Sequence, residues 1–126
     1  MPLVQIEVVK GRSPSEKKAL FDAVHDALVE ALKIPDDDRE QTLVEHESDD
    51  FDVRSSTYTI VRITMFPGRS LAAKRDLYQA IVRNLGRLGI QPTDVSIVLQ
   101  EPPLENWAIR GGTPASEVDL GYRLDV

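Results

Sequence analysis

The sequence predicts an α/β (α+β) domain made of two tandem βαβ units, whose four strands form one sheet with both helices on one face. Three observations lead there. Residues of the first half recur 57 positions later, each half joins a strand-like apolar run to a stretch of helical period, and 126 residues are the length of one domain. Gly11-Arg12-Ser13 falls on Gly68-Arg69-Ser70. Upstream, Leu3, Val4, Ile6 and Val8 fall on Ile60, Val61, Ile63 and Met65. Downstream, Lys17, Leu20, Phe21, Ala23, Val24 and Leu28 fall on Lys74, Leu77, Tyr78, Ala80, Ile81 and Leu85, while Pro35 and Asp37 fall on Pro92 and Asp94. The pseudo-repeats run over residues 2–46 and 58–100, and a tail covers 101–126, within a single domain 1–126.

Residues 3–9 read as the first strand, and Gly11 to Ser13 turn the chain. A helix follows from Ser13-Pro14 or Ser15 to residue 33, with hydroxyl cap chemistry at its start and Leu20, Val24, Ala27, Leu28, Ala31 and Leu32 on one face. Ile34-Pro35 ends it, because a residue before proline is steered out of helical geometry. Residues 40–46 form a weaker second strand. The second unit repeats this with a strand over Tyr58 to Phe66, a helix over 71–88 and a strand over Val95 to Gln100. Glu47 to Ser56 is a polar loop, and the Pro- and Gly-rich tail is expected to be loops with a short hairpin near Leu120 to Leu124. Parallel strands joined by a helix cross over with a fixed hand, so both helices share one sheet face and the other lies bare. A second copy of that face is its natural cover, and a closed ring of three subunits is expected.

Composition removes several function classes. A net charge of −6 lacks the basic stripe that nucleic acid requires. The chain has no cysteine, which excludes disulfides, thiolate nucleophiles and cysteine-zinc sites and suits a reducing cytoplasm. His25 and His46 are not spaced as metal ligands, so neither metal nor cofactor is expected. No apolar run is long enough to span a bilayer, and no signal-peptide pattern opens the chain; a cytoplasmic protein is the expectation.

Position 2 is the first candidate for chemistry. If Met1 is trimmed, Pro2 becomes a free secondary amine at the start of a strand. Terminal amines titrate near pH 8, and burial or a neighbouring cation lowers that value, so such a group works as base or acid near neutrality. It also suits the first position of a strand without any catalytic reason. Arg69 stands where the second helix begins, and a guanidinium beside helix N-terminal amides holds a carboxylate. Asp36, Asp37 and Asp38 follow a helix C-terminus, where the macrodipole disfavours negative charge, which invites a functional reason for one of the three. Arg62, in mid-strand, either points into the site or snorkels from the sheet.

The Met1-Pro2 start, the repeat of just under 60 residues and the segment Lys33-Ile34-Pro35-Asp36-Asp37-Asp38-Arg39 together resemble the tautomerase superfamily, and in particular its malonate semialdehyde decarboxylase-like branch. The resemblance implies a homotrimer acting on small keto or enol carboxylates, with the terminal proline as proton carrier. It implies a tautomerase or isomerase, with decarboxylase or dehalogenase chemistry as the runner-up. Asp38 matches the decarboxylase aspartate and Arg69 the second of that family's two arginines, which makes Pro2, Asp38 and Arg69 the catalytic candidates. Phe66 stands in the place of the first arginine, an apolar wall where a second carboxylate clamp would be. The family places a tail aromatic against the substrate, which points to Trp107, and Arg110 is a candidate second carboxylate ligand. The competing function is a non-catalytic βαββαβ module that binds a small effector, since topology alone does not decide function.

Overall fold

The computed structural model describes residues 1–126. Strand β1 (Leu3–Val9) leads to helix α1 (Pro14–Leu32) and strand β2 (Glu40–His46); β3 (Thr59–Thr64), α2 (Leu71–Gly86) and β4 (Val95–Gln100) repeat the order. The sheet order is β2-β1-β3-β4. Each unit contributes a parallel pair, and the units join at the centre through antiparallel β1 and β3, with Val4 opposite Ile63 and Ile6 opposite Val61.

The repeat extends to the helix starts. Ser13 Oγ accepts from the Glu16 amide at 3.2 Å while the Glu16 carboxylate accepts from the Ser13 amide at 3.0 Å, a reciprocal cap over the first turn of α1. Ser70 Oγ accepts from the Ala73 amide at 3.1 Å at the start of α2. The helix ends differ. Lys33 closes α1 in the left-handed conformation with its amide on the Val29 carbonyl, whereas α2 stops at Gly86, two residues before the expected end.

Period-two alternation sorts the strands. Val4, Ile6 and Val8 of β1 and Val61 and Ile63 of β3 face the helices, where Leu20, Val24, Leu28, Leu77, Ile81 and Leu85 meet them in one core. Each such large aliphatic side chain stabilises the fold by roughly 1.5–3 kcal/mol through its removal from water. The opposite sheet face carries Gln5, Glu7, Arg62 and His46, and has no element of the chain packed over it as the helices are. Asp94, at the end of the α2–β4 connection, accepts Ser55 Oγ at 2.7 Å and Thr57 Oγ1 at 2.9 Å and so pins the polar loop between the units.

The tail departs from expectation. Its hairpin is β5 (Ala108–Ile109) with β6 (Thr113–Pro114), not Leu120 to Leu124. The turn between them needs three successive residues at positive φ, Arg110 at 49°, Gly111 at 84° and Gly112 at 94°, and the glycine pair supplies that freedom. Residues 119–126 instead form a strap without regular structure that folds back on the β3–α2 turn, with the Val126 carbonyl accepting from the Ser70 amide at 3.0 Å. The strap packs closely there. A Cβ on Gly68, whose φ is 124°, would lie 3.3 Å from Leu124 Cβ. A second apolar cluster of Phe66, Trp107, Ile109 and Ala115 forms beneath the tail. No helix is long and apolar enough to cross a membrane.

Candidate active site

At the start of β1 the chain's first residues meet the α1–β2 loop, the β3–α2 turn and the tail. Pro2 is buried. The amine of Met1 lies 2.9 Å from Asp38 Oδ2 and donates to the Tyr122 hydroxyl. Around them is a cavity of about 200 Å³ with Asp38, Arg110 and Tyr122 as its polar walls and Pro35, Phe66, Ile109 and Leu120 as apolar ones. Desolvation is the main influence on the Met1 amine and lowers its pKa; Asp38 works against that and Arg69 adds to it.

The three aspartates separate by orientation. Asp36 and Asp37 are exposed and Asp38 turns inward, and the buried ring of His25 on α1 reaches out to the loop and bonds the Asp36 carbonyl at 2.7 Å. That contact ties the loop to α1 two residues before Asp38.

Arg69 is only 7% exposed. Its Nη1 donates to the Phe66 carbonyl at 3.0 Å, while Nε is buried with no partner. Burial is the main influence on this guanidinium and holds its pKa below the usual value, with Tyr122, Glu101 and Asp38 acting in the opposite sense. A cation left with a spare buried donor is costly, on the order of 1–3 kcal/mol, and the guanidinium stands behind the cavity wall, not on it.

Phe66 is almost wholly buried and forms the apolar floor. Trp107 does not line the cavity: it stands behind Phe66, edge to face at 4.8 Å between centroids, with its indole N–H on the Pro102 carbonyl at 3.2 Å. Arg110 lines the cavity from the β5–β6 turn, its Nη1 donating to the Asp119 carbonyl at 3.1 Å. Arg62 does not join the site. The register puts it beside Gln5 on the other sheet face, where Nε meets Glu7 Oε1 at 2.7 Å. His46 shares that face, bonded to Glu7 at 3.2 Å and stacked on Phe51. Sequence reasoning missed Tyr122, Ile109 and Leu120. The only signal was an aromatic among apolar residues in a tail rich in turn formers.

A family model described as "Tautomerase enzyme" matches residues 38–110, and a second model of the same description matches residues 2–55. The chain belongs to the tautomerase superfamily. Within it the similarities fall with the malonate semialdehyde decarboxylase-like branch. A malonate semialdehyde decarboxylase solved with the inhibitor 3-bromopropiolate is 32% identical with a TM-score of 0.82, over 89% of this chain and 92% of that one. A second malonate semialdehyde decarboxylase, described as having decarboxylase and hydratase activities, is 30% identical at a TM-score of 0.80, over 86% and 92% of the two chains. Probable tautomerase YusQ of Bacillus subtilis is 27% identical, over 89% of this chain and 95% of its own. A fused 4-OT solved as a symmetric trimer is 25% identical at a TM-score of 0.81, over 90% and 96% of the chains. This tautomerase-family enzyme thus has its fold matched over most of its length.

Proposed function

We propose that the chain, once Met1 is removed, catalyses proton transfer at the carbon next to the carbonyl of a small keto or enol carboxylate, with the Pro2 nitrogen as the proton carrier. One observation carries the reading: Pro2 is buried directly behind the Met1 amine, which lies in the cavity 2.9 Å from Asp38 and under the influence of the Arg69 charge, so removal of Met1 frees the next nitrogen of the chain beside the same groups. Arg110 on the cavity wall takes the substrate carboxylate, and the buried charge of Arg69 behind it adds to the attraction. In the ketone-forming direction Pro2 takes the enol O–H proton, the electrons shift through C2–C3, and the same proton is returned to C3. Asp38 orients the amine and favours its protonated state at the moment the proton is carried. Phe66, Ile109 and Leu120 keep water from the reacting carbon.

Decarboxylation or hydration is the second reading, favoured by the 30–32% identity to malonate semialdehyde decarboxylases. Asp38 would then direct water and the protonated Pro2 would serve as acid. A homotrimer is part of the proposal. It is supported by the uncovered sheet face, where Leu3 and Val98 are 44% and 42% exposed, and by the trimeric fused 4-OT.

The test is Pro2→Ala in protein shown by mass spectrometry to begin at residue 2. Enol-to-ketone conversion of phenylpyruvate is expected to fall by about 10²–10⁴-fold, the usual contribution of a positioned acid or base. Undiminished turnover would remove the proline mechanism.

A further inference from the structure

Tyr122 has no part in the mechanism above, yet it lines the cavity beside Asp38 and Arg110. The Met1 amine donates to it, and the charges of Arg69, Asp38 and Arg110 all act on it. A phenol has one proton to give and two lone pairs to offer. Removal of Met1 takes that donor away, and the phenolic proton on the cavity wall is then free to be given. The groups able to receive it are the Asp38 carboxylate and an oxygen of a bound molecule.

The phenol remains protonated at neutral pH, since burial first and Asp38 second raise its pKa. Its position is set by the strap: Leu124 rests on Gly68, Val126 accepts from Ser70, and the Asp119 carbonyl accepts from Arg110. The donor is therefore in place before any substrate arrives, the condition under which a hydrogen bond to a developing charge lowers a barrier.

We propose that Tyr122 is a catalytic hydrogen-bond donor, whose hydroxyl holds the C2 oxygen of a 2-oxo or 2-enol carboxylate while Arg110, backed by the buried charge of Arg69, holds the carboxylate. The inference rests on the proline reading of the same site. When Pro2 takes a proton from C3, the C–H electrons form the C2–C3 double bond and the carbonyl pair moves onto oxygen. Tyr122 donates to that oxygen without giving up its proton, and the proton on Pro2 completes the enol. This selects substrates with an oxygen on the carbon next to the carboxylate, in preference to 3-oxo acids.

The experiment compares Tyr122→Phe and Pro2→Ala in protein beginning at residue 2, with phenylpyruvate as substrate and oxalate as a planar mimic of the enolate. Tyr122→Phe is expected to lower kcat by about 10²–10³-fold, the loss that follows removal of one such donor, with KM within threefold. Oxalate binding, followed by calorimetry, is expected to weaken at least tenfold. A packing role would instead change the melting temperature and leave the oxalate affinity alone. Collapse in Pro2→Ala with kcat and oxalate binding intact in Tyr122→Phe overturns this inference only. Full turnover in both variants overturns the proline reading and this inference with it. Should Tyr122→Phe fail to fold, fluorinated tyrosine at 122 keeps the ring and acidifies the phenol; the alkaline limb of the kcat profile then moves to lower pH, and an unmoved limb overturns the assignment.

Discussion

The repeat supplies its own control for the strap. Gly11 and Gly68 occupy equivalent turns with φ of 137° and 124°, both in the region that side chains rarely adopt. Alanine at either position therefore carries a backbone cost of order 1–3 kcal/mol. Only one of them also meets the strap. A Cβ at Gly11 has nothing within 4 Å, whereas at Gly68 it lies 3.3 Å from Leu124 Cβ and 3.4 Å from the Leu124 carbonyl oxygen. Carbon contacts settle at roughly 3.5–4.0 Å, so the strap must move outward by a few tenths of an ångström. If a displacement of about 1 Å costs 10²-fold in rate, this one costs roughly three- to tenfold.

Urea unfolding and phenylpyruvate turnover of Gly11→Ala and Gly68→Ala, at one protein concentration, separate the two effects. Both variants should lose comparable stability, and only Gly68→Ala should lose three- to tenfold in kcat. Equal activity loss in the two, or none in Gly68→Ala despite its destabilisation, would refute the claim that the strap sets the geometry of the cavity.

Two further outcomes are expected. Arg62 chiefly, aided by His46 and Gln5, lowers the pKa of Glu7 from its ordinary 4.5. A depressed carboxylate contributes stability above its unfolded pKa and loses it as pH falls through the folded one. The melting-temperature advantage of wild type over Glu7→Gln should therefore be present above the ordinary carboxylate range and disappear on acidification below it; an advantage that persists in acid contradicts the assignment. His25→Ala leaves the Asp36 carbonyl without its partner, at a cost of about 1–3 kcal/mol in urea unfolding, and lowers kcat more than it raises KM by loosening the Asp38 loop. His25→Gln retains an N–H donor and should recover kcat; no recovery counts against a positioning role.

Where local pattern and burial coincide, the sequence was legible. Strands β1 and β3, the helix caps at Ser13 and Ser70, and the facing rows of α1 and α2 all follow from periods of two and 3.6, because one face of each element enters the core. The α2 end and the bounds of β3 shifted by one or two residues, as cap geometry decides them. Arg62 was readable in principle: Val61 and Ile63 flank it and face the helices, so a strand must send residue 62 the other way. Tyr122 and Trp107 were not readable. The phenol meets an amine 121 positions away, and the indole takes its place only once Phe66 and the tail have come together, so local pattern marks an aromatic but not where it ends up. The hairpin at 108–114 was signalled by Gly111-Gly112, but Gly121 offered a competing turn.

The Glu7, Arg62 and His46 group also decides what kind of neighbour the bare β-surface admits. An oily partner laid over it would strand a carboxylate and a guanidinium that now share water, a penalty of several kcal/mol per ion. Only a mate bringing its own hydrogen-bonding groups, or trapping solvent at the seam, escapes that penalty. An assembly through this surface would therefore reject misaligned encounters by electrostatics before any greasy contact forms, and its kinetics would respond to salt.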